Sequence, residues 1–202
     1  MRRPRGVAQV VVIVVLLLAV AIGRYPWPRI AGQAAAPTSG AAGTSTEPTA
    51  SPTDIRAGSL IEATVSRNVD GDTLHVLTSS GATEKVRFIG VNTPESTIEH
   101  EPYGEEASNY TKTRLPVGTR VWLETDVGLR DRYGRLLAYV WLSPPASGSA
   151  AEVRAKMFNA ELLVQGYAQL MTIPPDIKYV DDVFVPLQAA ARDASRGLWG
   201  LP

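Results

Sequence analysis

The chain has 202 residues, with 20 Lys+Arg set against 20 Asp+Glu, no cysteine and two histidines. The lack of cysteine excludes a disulfide scaffold, zinc ribbons, thiol catalysis and haem attachment, and His75 and His100 are too few for a His-rich metal site. The zero net charge is a cancellation: residues 1–30 carry five arginines (Arg2, Arg3, Arg5, Arg24, Arg29) and no acid, while the remainder holds 15 basic against 20 acidic residues, a net of −5.

Val7–Ile22 is an apolar run of 16 residues broken only by Gln9 and preceded by Arg2, Arg3 and Arg5. This is the pattern of an export signal or of a short transmembrane anchor. The flank that follows, Arg24-Tyr25-Pro26-Trp27-Pro28-Arg29, is aromatic and basic like a membrane interface, and favours an uncleaved anchor in residues 1–30 with the body outside the cytoplasm. Cleavage near Ala34-Ala35-Ala36 would instead release a secreted protein. Residues 31–58 are rich in Ala, Ser, Thr, Pro and Gly. They bury too little to offset chain entropy and are expected to be a disordered linker. Residues 59–202 are then one domain of ordinary size.

Within that domain Leu60–Val65 and Thr73–Thr78 alternate as strands around the Asp70-Gly71-Asp72 turn. A third strand is expected over Glu84–Val91, ended by Asn92-Thr93-Pro94. Tyr103–Leu115 has helical periodicity and stops at Pro116. Thr119–Asp126 and Leu136–Leu142 read as strands. After a loop spanning Ser143–Val153, Met157–Gln165 and Val185–Ser195 read as helices stopped by Gly166 and Gly197. Five strands with about three helices predict an α+β fold, a small closed barrel with packed helices. Trp122, Trp141 and Trp199 are expected in the core or as a lid, and His75 and His100 on a strand face and in a solvated loop.

Each polar motif has a plain structural explanation when taken singly. Asp70-Gly71-Asp72 is a hairpin turn, Lys85 and Arg87 alternate with Val86 and Phe88 as a solvated face, and Asp131-Arg132-Tyr133-Gly134-Arg135 is a charged turn. Together they converge on one chemistry. Asp72, Asn92 and the Thr93 carbonyl are oxygen ligands suited to a hard divalent cation, with Asp70 behind them. Glu95 is suited to orient water, and Arg87 and Arg135 to meet charge on phosphoryl oxygens.

The ordered set Val69-Asp70-Gly71-Asp72-Thr73, Val86-Arg87-Phe88-Ile89-Gly90-Val91-Asn92-Thr93-Pro94-Glu95, Tyr103-Gly104-Glu105-Glu106-Ala107, Asp131-Arg132-Tyr133-Gly134-Arg135, Asn159-Ala160-Glu161 and Arg196-Gly197-Leu198-Trp199 resembles the staphylococcal nuclease family over about Leu60 to Gly200. The resemblance implies a five-stranded OB-fold barrel and calcium-dependent hydrolysis of DNA and RNA to 3′-phosphate ends, single-stranded or denatured substrate preferred, by a monomer. It further implies calcium ligation by Asp72, Asn92 and the Thr93 carbonyl, water orientation by Glu95, and phosphate binding by Arg87 and Arg135. Arg132, Tyr133 and Lys85 would contact substrate.

The chain departs from the family pattern in four places. Asn92 stands where the best-known members have Asp, which predicts weaker calcium binding. The two downstream tyrosines that flank the base fall on Thr172 and Pro174. Ser143–Val153 is longer, and Ser96–Pro102, with Glu99, His100 and Glu101, is acidic. With a body of net −5, catalysis would rest on a local basic cleft of Lys85, Arg87, Arg114, Arg132 and Arg135. A catalytically silent OB-fold module that binds nucleic acid or protein at the cell surface is the alternative, and a phosphodiesterase for smaller substrates is a third. Retention of Asp72, Arg87, Glu95 and Arg135 together favours the enzyme.

Overall fold

A computed structural model describes residues 55–97 and 100–202. The anchor expected in residues 1–30 and nearly all of the linker lie outside the described residues, as does Glu99. The described chain runs β1 (Leu60–Asp70), β2 (Thr73–Thr78), β3 (Thr83–Phe88), β4 (Gly90–Asn92), α1 (Gly104–Arg114), β5 (Arg120–Glu124), β6 (Leu136–Trp141), α2 (Ala150–Lys156), α3 (Phe158–Gln165), β7 (Gln169–Met171) and α4 (Val185–Asp193), the last entered through one π-helical turn, Val180–Phe184.

Strands β1-β2-β3-β6-β5 close a barrel, and β4 pairs with β7 in a separate two-stranded sheet. All barrel pairs are antiparallel except β3 with β6. This is the expected α+β OB-fold, with four helices in place of about three. Period-two burial drives the closure. On β1, Ile61, Ala63 and Val65 are buried while Glu62 and Thr64 face water, and the inward set meets Leu74, Val76, Val86, Phe88, Leu123, Leu136 and Trp141 in one core. Trp141 is fully buried as expected, its indole N–H donating to Glu124 Oε2 at 2.8 Å, whereas Trp199 lies under Arg192, whose guanidinium carbon is 4.2 Å from the ring centroid.

Three elements differ from the sequence expectation. Strand β1 continues five residues past Val65 because register shifts between Val65 and Arg67 and between Asn68 and Asp70 break the alternation without ending the pairing. The single strand expected over Glu84–Val91 is two strands. Gly90 has φ 77°, and a Cβ there would sit 2.6 Å from the Phe184 ring, so the chain bends at a position only glycine fills. The bend takes Asn92 out of the barrel and onto β7, with Gly90 opposite Met171 and Asn92 opposite Gln169. Lastly, the last four residues of the loop expected at Ser143–Val153 open helix α2. Ser149 caps it by accepting from the Glu152 amide, and Met157 in extended conformation separates it from α3. The signal was present as Ser149-Ala150-Ala151-Glu152, the S-x-x-E pattern of a capped helix start.

Helices α1 and α3 are joined by an aromatic column. Tyr103 stacks on Tyr167 (5.5 Å), Tyr167 on Tyr110 (4.1 Å), Tyr110 on Phe158 (6.3 Å), and Phe158 meets Phe88 of the barrel edge-on at 5.9 Å. Each such pair adds about 0.5–1.5 kcal/mol beyond area burial. Buried Asn159 of α3 donates to the Ile89 carbonyl and accepts from the Val140 amide, both at 2.8 Å, which fixes the bend between β3 and β4.

Candidate active site

The site forms where the β1–β2 turn, the end of β4 and the β5–β6 connection meet. Gly71 packs its backbone directly on Thr93: a Cβ at Gly71 would lie 2.7 Å from Thr93 Oγ1. From the other side Thr111 of α1 donates to the Gly71 carbonyl at 2.7 Å. This clamp holds Asp70 and Asp72 against Thr93. Asp72 is 6% exposed. Its Oδ1 accepts from Thr73 Oγ1 and its Oδ2 from the Thr93 amide, each at 3.0 Å. Asp70, also buried, accepts from Ser96 Oγ at 2.6 Å. Burial pushes the Asp70 carboxyl above its ordinary range; its bonds from Ser96 and Gly71 oppose this, and the charges of Glu95 and Asp72 add to it.

Arg87, on β3, reaches into this corner. One terminal nitrogen is ion-paired with Asp72, and the other donates to Asn92 Oδ1 at 2.8 Å. Asn92 is exposed and Thr93 is 4% exposed, with a buried Oγ1 that has no hydrogen-bond partner. The corner therefore presents one carboxylate and one amide oxygen around a seated positive charge, and the Thr93 carbonyl is the third donor that the sequence offers. That donor set is all oxygen and suits calcium, which tolerates irregular geometry and completes its shell with water. Among the described residues no group of three Asp, Glu, His or Cys side chains is placed to hold a metal.

Glu95 is positioned by its own loop. Its amide donates to Glu101 Oε2 and its carbonyl accepts from the Glu101 amide, both at 2.8 Å. A Cβ on Gly104, the first residue of α1, would lie 2.4 Å from the Glu95 carbonyl, so helix and loop meet backbone to backbone. The Glu95 carboxylate accepts from the Thr97 amide at 3.0 Å and from the Thr97 hydroxyl. Part of the acidity of the Ser96–Pro102 loop thus has a structural use, in Glu101.

A groove of about 530 Å³ opens beside Arg87, lined also by Arg130, Arg132, Tyr133 and Arg135. Asp131 organises its rim: Oδ1 accepts from the amides of Tyr133 (2.9 Å) and Arg135 (3.0 Å), and Oδ2 from Arg135 Nε at 2.6 Å. This uses one of the five Arg135 donors. The carboxyl of Asp131 is held below its ordinary range by Arg135 and these amides, against the opposing effect of burial. Tyr133 is 67% exposed and has Arg132 and Arg135 over its ring at 4.7 and 5.5 Å. The opposite wall is Met171, Ile173, Pro174 and Pro175. Of the two downstream positions singled out in the sequence, Pro174 lines the groove and Thr172 does not; its neighbours Met171 and Ile173 do.

The cleft is also composed differently from the expectation. Lys85 lies on β3 outside the groove, and Arg114 is bound to Glu161 at the far end of α1. Arg130 takes a place among the groove's cations, forked onto Glu84 at 2.8 Å through both terminal nitrogens. The charge of Arg130 was visible in the sequence, but only the return of β6 alongside β3 shows which way it faces.

The family model described as staphylococcal nuclease homologue matches residues 85–200. The chain belongs to the staphylococcal nuclease family. It is 42% identical over 132 residues to a thermonuclease of Staphylococcus intermedius, covering 64% of this chain and 69% of that one. A thermonuclease of Staphylococcus hyicus is 36% identical over 138 residues, 67% of this chain and 73% of the relative. Endonuclease YncB of Bacillus subtilis is 36% identical over 139 residues, 66% and 60% respectively. Within the family frame, Asp72, Arg87, Asn92 and Thr93 occupy one corner, Arg135 and Tyr133 the adjoining groove, and Glu95 the loop between that corner and α1.

Proposed function

We propose that this staphylococcal nuclease family member is a calcium-dependent nuclease that hydrolyses phosphodiester bonds of DNA and RNA, leaving 3′-phosphate ends. The observation that carries the reading is the position of Arg87. It lines the groove that holds Tyr133 and Arg135, and it also contacts Asp72 and Asn92. This supports a hydrolytic site whose phosphate-binding and cation-binding halves adjoin through one side chain. Nuclease-named relatives at 36–42% identity support the same reaction class.

Asp72, Asn92 and the Thr93 carbonyl would hold the calcium ion. When bound, the ion supplies positive charge to a phosphoryl oxygen. The chain's own groups do the rest. Arg135, with Nε tied to Asp131, presents its remaining donors to the phosphate at fixed orientation. Arg87 supplies the second guanidinium. Glu95 accepts the proton of an attacking water as the water oxygen bonds to phosphorus. The P–O5′ bond breaks, its electron pair leaves with the 5′ oxygen, which takes up a proton, and phosphate stays on the 3′ side. Tyr133 offers a stacking face for a base, worth about 1–3 kcal/mol.

We further propose that residues 1–30 anchor the chain in a membrane and that residues 31–58 tether residues 59–202 outside the cytoplasm. A mature N-terminus near Pro37 would reject the anchor. The reaction class is tested by end-group analysis of digested single-stranded DNA: fragments that a polymerase extends only after phosphatase treatment carry 3′ phosphates, and direct extension would contradict the assignment.

A further inference from the structure

Outside the groove, the outer face of the barrel carries a second set of cations. Strand register places Arg67 of β1 opposite His75 of β2, and His75 opposite Lys85 of β3. The three side chains stand on one face in one row, crossing three strands. Arg67 and Lys85 are exposed and His75 is half-buried. Among the described residues, no carboxylate forms an ion pair with any of them. The charges felt by His75 are those of Lys85 and Arg67, both positive, and they add to partial burial in holding the imidazole below its ordinary range. Like charges close together on a sheet face destabilise it, so two cations flanking His75 in one row, with no acid paired to them, form a feature that the fold itself does not explain.

The row is continuous with the site. Lys85 and Arg87 are two residues apart on β3 and share its outward face, and Thr73, opposite Arg87, adds no charge between them. On the other side the row ends at Thr64, Leu77 and Thr83, which are uncharged. We propose that Arg67, His75 and Lys85 form a phosphate-binding row about 10 Å wide, at two inter-strand spacings, that takes the backbone of a single-stranded polynucleotide leaving the site at Arg87. The assignment rests on the nuclease reading for its substrate class. It accounts for how a body of net −5 holds a polyanion beyond the reacting phosphate: Arg67 and Lys85 extend the cations of the groove along one line, free of carboxylate partners among the described residues.

The test uses the full chain and its Arg67→Gln, His75→Gln and double variants, with folding checked by circular dichroism. Binding of a labelled 20-nucleotide thymidine strand is measured in chelator, where hydrolysis does not intervene, from low to moderate salt at pH 6. Each charge on the row contributes about 0.7 to the slope of log K against log salt. Arg67→Gln should lower that slope by about this amount and weaken low-salt binding several-fold. In calcium, Arg67→Gln should raise KM for the 20-mer about three- to tenfold relative to KM for a dinucleotide. An unchanged slope and an unchanged KM ratio would overturn the proposal. Phosphatidylserine vesicles are the comparison arm: loss of vesicle binding with oligonucleotide binding intact would make the row a membrane-facing surface and also overturn it. If no substrate is cleaved by the parent chain yet the slope still falls, the row stands and the nuclease reading falls.

Discussion

Arg87 is ion-paired with Asp72, and the two side chains are 12% and 8% exposed. The guanidinium thus sits as a counter-charge in the corner assigned to calcium. Replacing it by Arg87→Gln leaves the buried Asp72 carboxylate with only the Thr73 and Thr93 donors, which costs about 1–3 kcal/mol. Denaturant unfolding in chelator should show that loss. Calcium should restore more stability to the variant than to the parent, because no side chain competes for the corner. An equal deficit with and without calcium would show that the ion and Arg87 occupy different places.

Asn92 accepts from Arg87 at 2.8 Å through its amide oxygen. Asn92→Asp keeps that oxygen's position and adds a negative charge, so the calcium concentration for half-maximal rate should fall several-fold. Titration of initial rates checks this. No change would remove Asn92 from the ligand set.

Gly90 sets where the β4 strand leaves the barrel. Gly90→Ala places a methyl 2.6 Å from Phe184 in a backbone with φ 77°, so overpacking alone should cost about 1–3 kcal/mol. Because Asn92 and Thr93 follow within three residues, nuclease rate should fall further than the unfolded fraction accounts for. A variant that loses stability but keeps its full rate per folded molecule would separate the bend from the site.

The α2 loop depends on Glu152, whose carboxylate accepts from the amides of Ala146 (3.0 Å), Ser147 (2.8 Å) and Gly148 (3.1 Å) and from Lys156 Nζ at 2.7 Å. Lys156 first and then these donors hold the carboxyl far below its ordinary 4.5. A depressed folded value means that the stabilisation is complete above pH 4.5 and is lost only as pH falls toward the folded value. Amide resonances of residues 146–148 should stay fixed from pH 7 to 4.5 and move together in stronger acid. Movement near pH 6 would contradict this, as would an unaltered loop in Glu152→Gln.

The barrel was legible because its strands bury alternate residues, so Ile61-Ala63-Val65 and Leu74-Val76 announce themselves by period two. What escaped were places where a contact distant in sequence overrides local pattern. Phe184 decides that Gly90 is a bend, the return of β6 decides that Arg130 faces the groove, and the register of β1 on β2 aligns Arg67 with His75. The candidate site was legible in residue type, since Asp72, Arg87, Asn92, Thr93 and Arg135 carry chemistry that a strand does not need. The pairing of Arg87 with Asp72 and Asn92 was not, because it depends on two strand ends meeting.

The most direct measurement is digestion of denatured DNA by the full chain in calcium and in chelator, beside Glu95→Gln and Arg135→Gln. Cleavage is expected in calcium and none in chelator, with kcat falling about 100-fold or more in each variant. Cleavage that persists in chelator, or variants that cut at the parent rate, would contradict this.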